Sequence, residues 1–479
     1  MSEKNGSEAP KKGGSKKGIK SSKKLDIDEV VMLTIDPEKL PPKAKFHSFE
    51  NFYHQELIIK KKVICFKRAR YILEDESSIL APLPPEIEGH FGNGVKTFIV
   101  QQSQVCNVSE NKIKSSLNDM GIDISEGKVH EILMESTKKL ESEYNNIAEE
   151  GFKSEQLKTD DTGARFEKQN WFTTVIQNEL FAYFKTTPTK SRKNFLLILQ
   201  QSKTQYALNK FAYDYLRSTI KSSKQKNIIS KLEKHDGKIF ETLDDWEKFL
   251  DSIKINKLTT GKQILRYLEE AALLGGVANS GVNLEAVLTS DNAGQFKKIF
   301  GLHALCWVHM IRSISKVIPG NKEEIAELDR ILDQVWTFYK NLKDYQEAPN
   351  DQKIPELEKK FDAIFDQSVQ SQKLLKALST FKEYKKELLC VLKHPKTPLH
   401  NNSSESDIRP AVIKRKISGP TRSVPGRLAR DIWLTIVKTC RKLGISPWTY
   451  IADRLSHSPQ MMSLSEIIHQ RVIAQQLPP

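Results

Sequence analysis

The sequence predicts an α/β protein, and three patterns carry that prediction. Residues 157–166, 171–177 and 180–185 are rich in Phe, Val, Ile, Tyr and Thr and are separated by short gaps, which is the pattern of an antiparallel meander. A helix-rich stretch over about 192–275 follows, and then two more short apolar runs, 284–289 and 302–307. Finally, 311–394 is charged and helical, with Leu328, Ile331, Leu332 and Val335, then Leu357, Phe361 and Ile364, at helix spacing. Strands mixed with long helical segments define the class.

Bulk composition narrows what such a protein does. The chain has 479 residues, 38% hydrophobic and 28% charged, enough for several domains and a sizeable core. No apolar run approaches the roughly 20 residues that span a bilayer, and no apolar segment near the start reads as a secretory signal. The five cysteines are scattered and form no Cys-x-x-Cys pair, which points to a reducing cytosol and away from a disulfide framework. A formal charge of +15 points towards a phosphate-rich partner.

Residues 1–27 are rich in Lys, Ser and Gly and are expected to form a disordered tail. In 28–104, the runs 57–59 and 63–66 read as short strands around a Lys60–Lys62 turn. Within 105–150, Asn107 to Ser109 cap a helix to about Asn118, Gly121 makes a turn, and Ser125 caps a second helix to Met134. Two helices joined this way outline a helix-turn-helix or a plain helical hairpin. On the former reading Ser125, Lys128 and His130 lie near the start of a DNA-reading helix. The remaining expected segments are 155–310, 311–394 as a helical insertion, 395–456, and a C-terminal tail over 457–479.

Three acidic strings stand out: Thr159-Asp160-Asp161-Thr162-Gly163, Thr289-Ser290-Asp291-Asn292 and Asn401-Asn402-Ser403-Ser404-Glu405. The first two sit at strand candidates and the third at a helix start. Phosphodiester chemistry needs an activated oxygen nucleophile and charge neutralisation at phosphorus, and two divalent ions about 4 Å apart provide both. Magnesium takes oxygen ligands, so Asp and Glu suit it better than His or Cys. Arg409, Lys414, Arg415, Lys416, Arg422, Arg427 and Arg430 form the densest basic stretch after the tail, next to Glu405, and suit a phosphate-tracking surface. Trp307 reads as a core residue, and Cys306 with His309 as structural neighbours of the site rather than half a zinc centre.

The chain resembles the DDE transposases of bacterial insertion sequences, most closely the insertion-sequence 66 type. Ala69-Arg70-Tyr71 and Ala81-Pro82-Leu83-Pro84 resemble the N-terminal region, Asp160-Asp161-Thr162 the Asp-Glu-Thr string, and Ser290-Asp291 the second aspartate. Cys306-Trp307-Val308-His309-Met310-Ile311-Arg312 resembles the family's Cys-Trp-x-His-x-x-Arg. Asn401 to Glu405, with Arg409-Pro410 and Arg415-Lys416, resembles the third-carboxylate helix, and Gly444 to Tyr450 the closing motif.

The resemblance implies an RNase H-like core, a five-stranded mixed sheet with helices on both faces, interrupted by a helical insertion and preceded by a helix-turn-helix region. It implies that Asp160, Asp291 and Glu405 are catalytic and hold two Mg2+ ions, for which Mn2+ substitutes. Asp161, His309 and Arg312 are supporting candidates. Neighbours on a strand alternate, so Asp160 and Asp161 do not both face the site, and the resemblance favours Asp160. The expected activity is 3′-end cleavage and strand transfer by a homo-oligomer acting on element ends and target DNA, in the bacterial cytoplasm at the nucleoid. The cysteine-rich zinc segment common in that family has no counterpart here. That absence is the mark of a shortened or decayed element copy. Two other readings stand beside this one: a non-catalytic DNA-binding derivative, and a structure-selective nuclease on the same fold.

Overall fold

The computed structural model describes residues 26–201, 203–221, 223–255 and 261–476. The Lys-rich tail lies outside them through residue 25, as do residues 477–479 of the C-terminal tail.

The chain divides into two compact units, the first ending at Ile64. Within the described part of that unit, Pro37–Lys39 forms a 3-10 turn and no strand occurs. The strands expected at 57–59 and 63–66 are therefore absent. Leu57, Ile58, Ile59 and Val63 are all exposed, and apolar runs with no sheet to join and no face to bury gain nothing from strand geometry. The first pairing comes later, where Arg70–Ile72 and Ser78–Leu80 form a small antiparallel hairpin.

Past this hairpin, the second unit continues with helices. Asn93–Val100 runs into a π-helical turn at Gln101–Val105. Next come α1 (Glu110–Asp119) and α2 (Glu126–Lys139), joined through Gly121, whose φ of 79° only glycine adopts at little cost. Ser125 caps α2 by accepting from the Lys128 amide, as the sequence indicates, and α2 runs one turn past Met134.

The sheet contains five strands: β1 (Gln156–Phe166), β2 (Gln169–Gln177), β3 (Ala182–Thr187), β4 (Val287–Ser290) and β5 (Leu302–Leu305). Their spatial order is β3-β2-β1-β4-β5. The first three form the expected meander, with Asp160 opposite Val175 and Val175 opposite Phe184. Glu167 and Lys168, both at positive φ, make the tight turn between β1 and β2. β4 runs parallel to both β1 and β5, with Leu157 opposite Leu288 and Ser290 opposite Leu305. A mixed sheet in this order is consistent with an RNase H-like core.

Both faces of the sheet are covered. Leu157, Ile176 and Tyr183 point into a large cluster with α3 (Arg192–Leu199) and α4 (Lys262–Asn279). After β5, α5 (Trp307–Ser315) and α6 (Lys322–Glu347) build a second cluster with the helices Ile354–Phe365 and Gln372–Glu383. Trp307 is fully buried at its centre, among Phe338, Phe361 and Phe381, with its indole N–H donating to the Leu388 carbonyl at 2.9 Å. The chain then returns as α7 (Asn402–Ser418) and α8 (Val424–Leu443). Val175, Ala182 and Phe184, on the opposite face, pack against Ile408 of α7 and Leu434 of α8.

The free edge of β3 is sealed by a helix rather than a strand. Asp431, Thr435 and Thr439 recur every fourth residue along α8, on one face. The Asp431 carboxylate accepts from the Thr186 N–H at 2.8 Å, the Thr435 hydroxyl from Phe184 at 3.0 Å, and the Thr439 hydroxyl from Ala182 at 3.3 Å. The Tyr144 hydroxyl and Arg427 donate to the carbonyls of Phe184 and Thr186. Every second residue of an edge strand points its backbone groups outward, and here a helix face meets them. Replacing Thr435 with Val leaves the buried Phe184 amide unpaired. It is expected to lower unfolding free energy by about 1–3 kcal/mol, whereas Thr435→Ser retains most of it, as read by urea denaturation.

Candidate active site

Asp160 lies mid-way along β1, on the face that also carries Lys158, whose ammonium reaches the Ser403 hydroxyl on α7 at 3.2 Å. Asp291 follows the last residue of β4, where its Oδ1 accepts from the Ala293 amide at 3.0 Å and closes an Asx turn. Glu405 lies in the first turn of α7, the end of a helix that favours an acid. Three distant segments thus bring carboxylates into one another's field. Burial, together with the charges of Asp291, Asp161 and Glu405, pushes the Asp160 carboxyl up to about 6, against the opposing pull of the Asp161 N–H that it accepts. Asp161 is engaged elsewhere: its Oδ2 accepts from Gln295 at 2.7 Å, and Lys190 pairs with its other oxygen.

The third carboxylate is held by the Cys-Trp-x-His-x-x-Arg segment. Glu405 Oε1 contacts His309 Nε2 at 3.2 Å and Arg312 Nη1 at 3.1 Å. The Cys306 thiol beside it, then Glu405 and Asp291, hold the His309 imidazole above its ordinary value, against the effect of burial. Among the described residues no three His, Cys, Asp or Glu side chains are grouped closely enough to hold a metal ion as they stand. The donor chemistry at Asp160, Asp291 and Glu405 is nonetheless all-oxygen and anionic, the set a hard divalent cation takes. Glu405 currently balances its charge with Arg312 and His309 instead.

Asn401 locks these parts together. It is fully buried; its side-chain amide donates to the Thr159 carbonyl at 2.9 Å, and its own N–H points to Cys306 Sγ at 3.1 Å. Gln177 of β2 donates to the Ser403 and Ser404 hydroxyls, and Asp407 pairs with Lys438 and Lys442 of α8. These contacts fix the rotation of α7 over β1 and β2. On the other side of Asp291, the Ser290 hydroxyl donates to the Asp291 carbonyl and meets His303 Nε2 at 2.8 Å. Burial and the nearby Lys297 pull His303 down to about 4, so it stays neutral there.

The basic candidates separate into two groups. Arg409, Lys416 and Arg422 are exposed, and Arg415 is half-buried over Gly163. Lys414 turns inward, donating to the Ser103 carbonyl, and burial lowers it to about 8. Arg427 stacks on Phe166 and Trp171 while bonding the Thr186 carbonyl, and Arg430 bonds the Gly419 carbonyl. In the α1–α2 pair, Lys128 bonds Glu131 at 2.7 Å and His130 bonds Glu110 at 3.2 Å, so the two candidate readers are already paired with acids.

A family model described as "Transposase IS66 family" matches residues 269–427, a span that contains Asp291, the His309–Arg312 segment and Glu405. The uncharacterized protein y4jO of Sinorhizobium fredii (strain NBRC 101917 / NGR234) is 37% identical over 314 residues, which cover 64% of this chain and 94% of that protein. The chain belongs to the IS66 transposase family. The family match begins within α4, so β1 and Asp160 lie outside it, and geometry alone relates them to the matched part.

Sequence reading left several residues at this site without a role. Lys190, Gln295 and His303 act through contacts between strands and loops that no local spacing announces. Asn401 lies within a quoted string, but only its burial shows that its amide joins two elements.

The raised Asp160 carboxyl gives a pH signature. The folded state penalises its ionisation, so the associated stability is present below about pH 4 and is lost as pH rises through about 6. In EDTA, Asp160→Asn is expected to be more stable than wild type at pH 8 by about 3 kcal/mol, with the difference vanishing near pH 4. Thermal unfolding across that range measures it.

Proposed function

We propose that this protein is a DNA transposase using a DDE mechanism, with Asp160, Asp291 and Glu405 as its catalytic carboxylates. The observation that carries the reading is the convergence of three acids from distant segments on one another's charge, inside a chain of formal charge +15. Carboxylates are gathered at such a cost where a cation and a polyanion relieve it. Membership of a transposase family supports the same conclusion.

On this proposal the three carboxylates hold two Mg2+ ions, with Mn2+ as a substitute. Bound there, the metal pair supplies an activated oxygen nucleophile and neutralises charge on the phosphate. The chain's own residues do the rest. Asn401 and the Gln177–serine contacts hold β1 and α7 in register. Arg312 and His309 orient Glu405 and balance its charge before the site is loaded. Asp161, fixed by Gln295 and Lys190, supports the strand rather than the reacting centre. Water then attacks the phosphodiester at each element end to free a 3′-hydroxyl. That hydroxyl attacks target DNA in line, one phosphodiester bond forming as another breaks.

Element-end binding falls to α1 and α2 read as a helix-turn-helix, with Ser125 and Lys128 near the base edges. Lys128 gives up only an exposed pair with Glu131. The helices between α5 and α7 form an insertion in an RNase H-like core. Two ends must meet, so the active form is a homo-oligomer, acting at the bacterial nucleoid in the cytoplasm. No helix among the described residues is long and apolar enough to cross a membrane.

Asp291→Asn is expected to abolish Mg2+-dependent cleavage and strand transfer on a DNA carrying element ends, while gel-shift affinity for those ends stays within about twofold of wild type. Equal loss of binding and chemistry would contradict the assigned role. Arg312→Gln is expected to lower cleavage by about 10–100-fold, the usual range when a supporting contact to a ligand is lost. Unchanged single-turnover rates would remove Arg312 from the mechanism.

A further inference from the structure

We infer that the far end of β1 carries a separate anion site, built from Gly163, Arg165 and Arg415, that holds a DNA backbone phosphate next to the reacting one. The inference rests on the DNA-processing reading above and assigns it a second point of grip.

β1 does not end at Asp160. It continues to Phe166, well past Lys158, where its pairing with β4 ends. Beyond that point α7 and the loop before α8 lie against it. The Thr421 N–H donates to the Arg165 carbonyl at 3.1 Å, and the Glu167 N–H to the Thr421 carbonyl at 3.1 Å. Arg430 ties down the same loop through the Gly419 carbonyl. The strand end is therefore rigid, and the cations on it are held at a fixed distance from Asp160. Gly163 is three residues from Asp160, about 10 Å along the strand at 3.4 Å per residue, and it and Arg165 take the alternate positions, where Arg415 reaches Gly163 from α7, the helix that covers Asp160's face.

The charges at this place are unbalanced. Arg427 and Arg430 serve the fold through carbonyl bonds, and Lys414 points inward. Arg165 is exposed and Arg415 half-exposed, and among the described residues neither guanidinium has a hydrogen-bond or ion-pair partner. Of the described acids here, Asp431 already accepts two hydrogen bonds from Thr186, and Glu167, two residues beyond Arg165, makes no ion pair with either arginine. Gly163 leaves room for Arg415: a Cβ there would stand 3.2 Å from its Nη1, so the guanidinium would have to give way slightly. A guanidinium fork over a strand with no side chain in the way presents paired N–H donors, the geometry that suits a phosphate. The crevice behind, lined by Thr162, Thr173 and Thr186, is too narrow to take the ligand, so the phosphate sits at its mouth between the two arginines.

The test uses the full-length protein and a duplex carrying one neutral methylphosphonate, walked along the strand through the cleavage position. Binding is followed by fluorescence anisotropy against salt. Wild type is expected to lose affinity when the modification falls one or two nucleotides from the cleaved bond. The double variant Arg165→Gln/Arg415→Gln should be insensitive at that position alone, and should lower the slope of log affinity against log salt by about two, near one per lost contact. Lys340→Gln, at an exposed position on α6, removes a charge without touching the site and should keep the wild-type footprint. Gly163→Val, which keeps every charge but crowds the Arg415 guanidinium, should weaken the same position. A double variant with the wild-type footprint and slope would overturn the inference while leaving the proposed activity intact. Wild type with no salt-dependent DNA binding would overturn both.

Discussion

The arrangement depends on one buried amide. Asn401 is covered on all sides, and its side chain spans the gap between the carbonyl beside Asp160 and the helix that begins beside Glu405. Its N–H reaches the sulfur at the start of α5, three residues ahead of His309, the first residue there that holds Glu405. A single residue therefore sets the distance among β1, α5 and α7. Carboxylates repel, and the charges of Asp291 and Glu405 are felt at Asp160 although the three are not grouped closely enough to share a metal ion as they stand. The uncharged contacts around them carry that strain: Asn401, the serines that receive Gln177, and the pairing of Ser290 with His303. The polar core at the site is fixed in shape before any ligand arrives.

Much of the sheet was legible in the sequence because its strands are long, β-branched or aromatic, and close together. The meander over β1 to β3 follows directly from such runs. So do the short strands that precede Asp291 and Cys306, since each ends in a change of polarity. The runs at 57–59 and 63–66 look equally strand-like, yet remain unpaired. Composition reports the capacity for a strand, and only a neighbouring edge turns that capacity into structure. The α1–α2 corner was legible from its caps, because Ser125 and Gly121 act locally.

The proposed site divides along the same line. The settings of Asp160, Asp291 and Glu405 could be read from short strings, since each string keeps its local place on a strand, at a strand end and at a helix start. Which basic residues stay free could not be read that way. Lys414 and Arg415 are adjacent in sequence and alike in charge, but one donates to a buried carbonyl and the other lies open over a glycine. Helix rotation decides between them, and it is set by packing of Ile408 and Ala411 against the sheet. Lys190 and Gln295 belong to the same class of residue, meeting Asp161 from loops far along the chain.

The helix that closes β3 has a further consequence. Its threonines and aspartate meet the outward N–H groups of the strand but extend no backbone ladder of their own. The sheet stops there, and another molecule cannot lengthen it on that side by laying down a strand. Any molecule that meets the protein along this edge does so through helix and loop side chains. The rim of the sheet is closed to runaway β-stacking from that side.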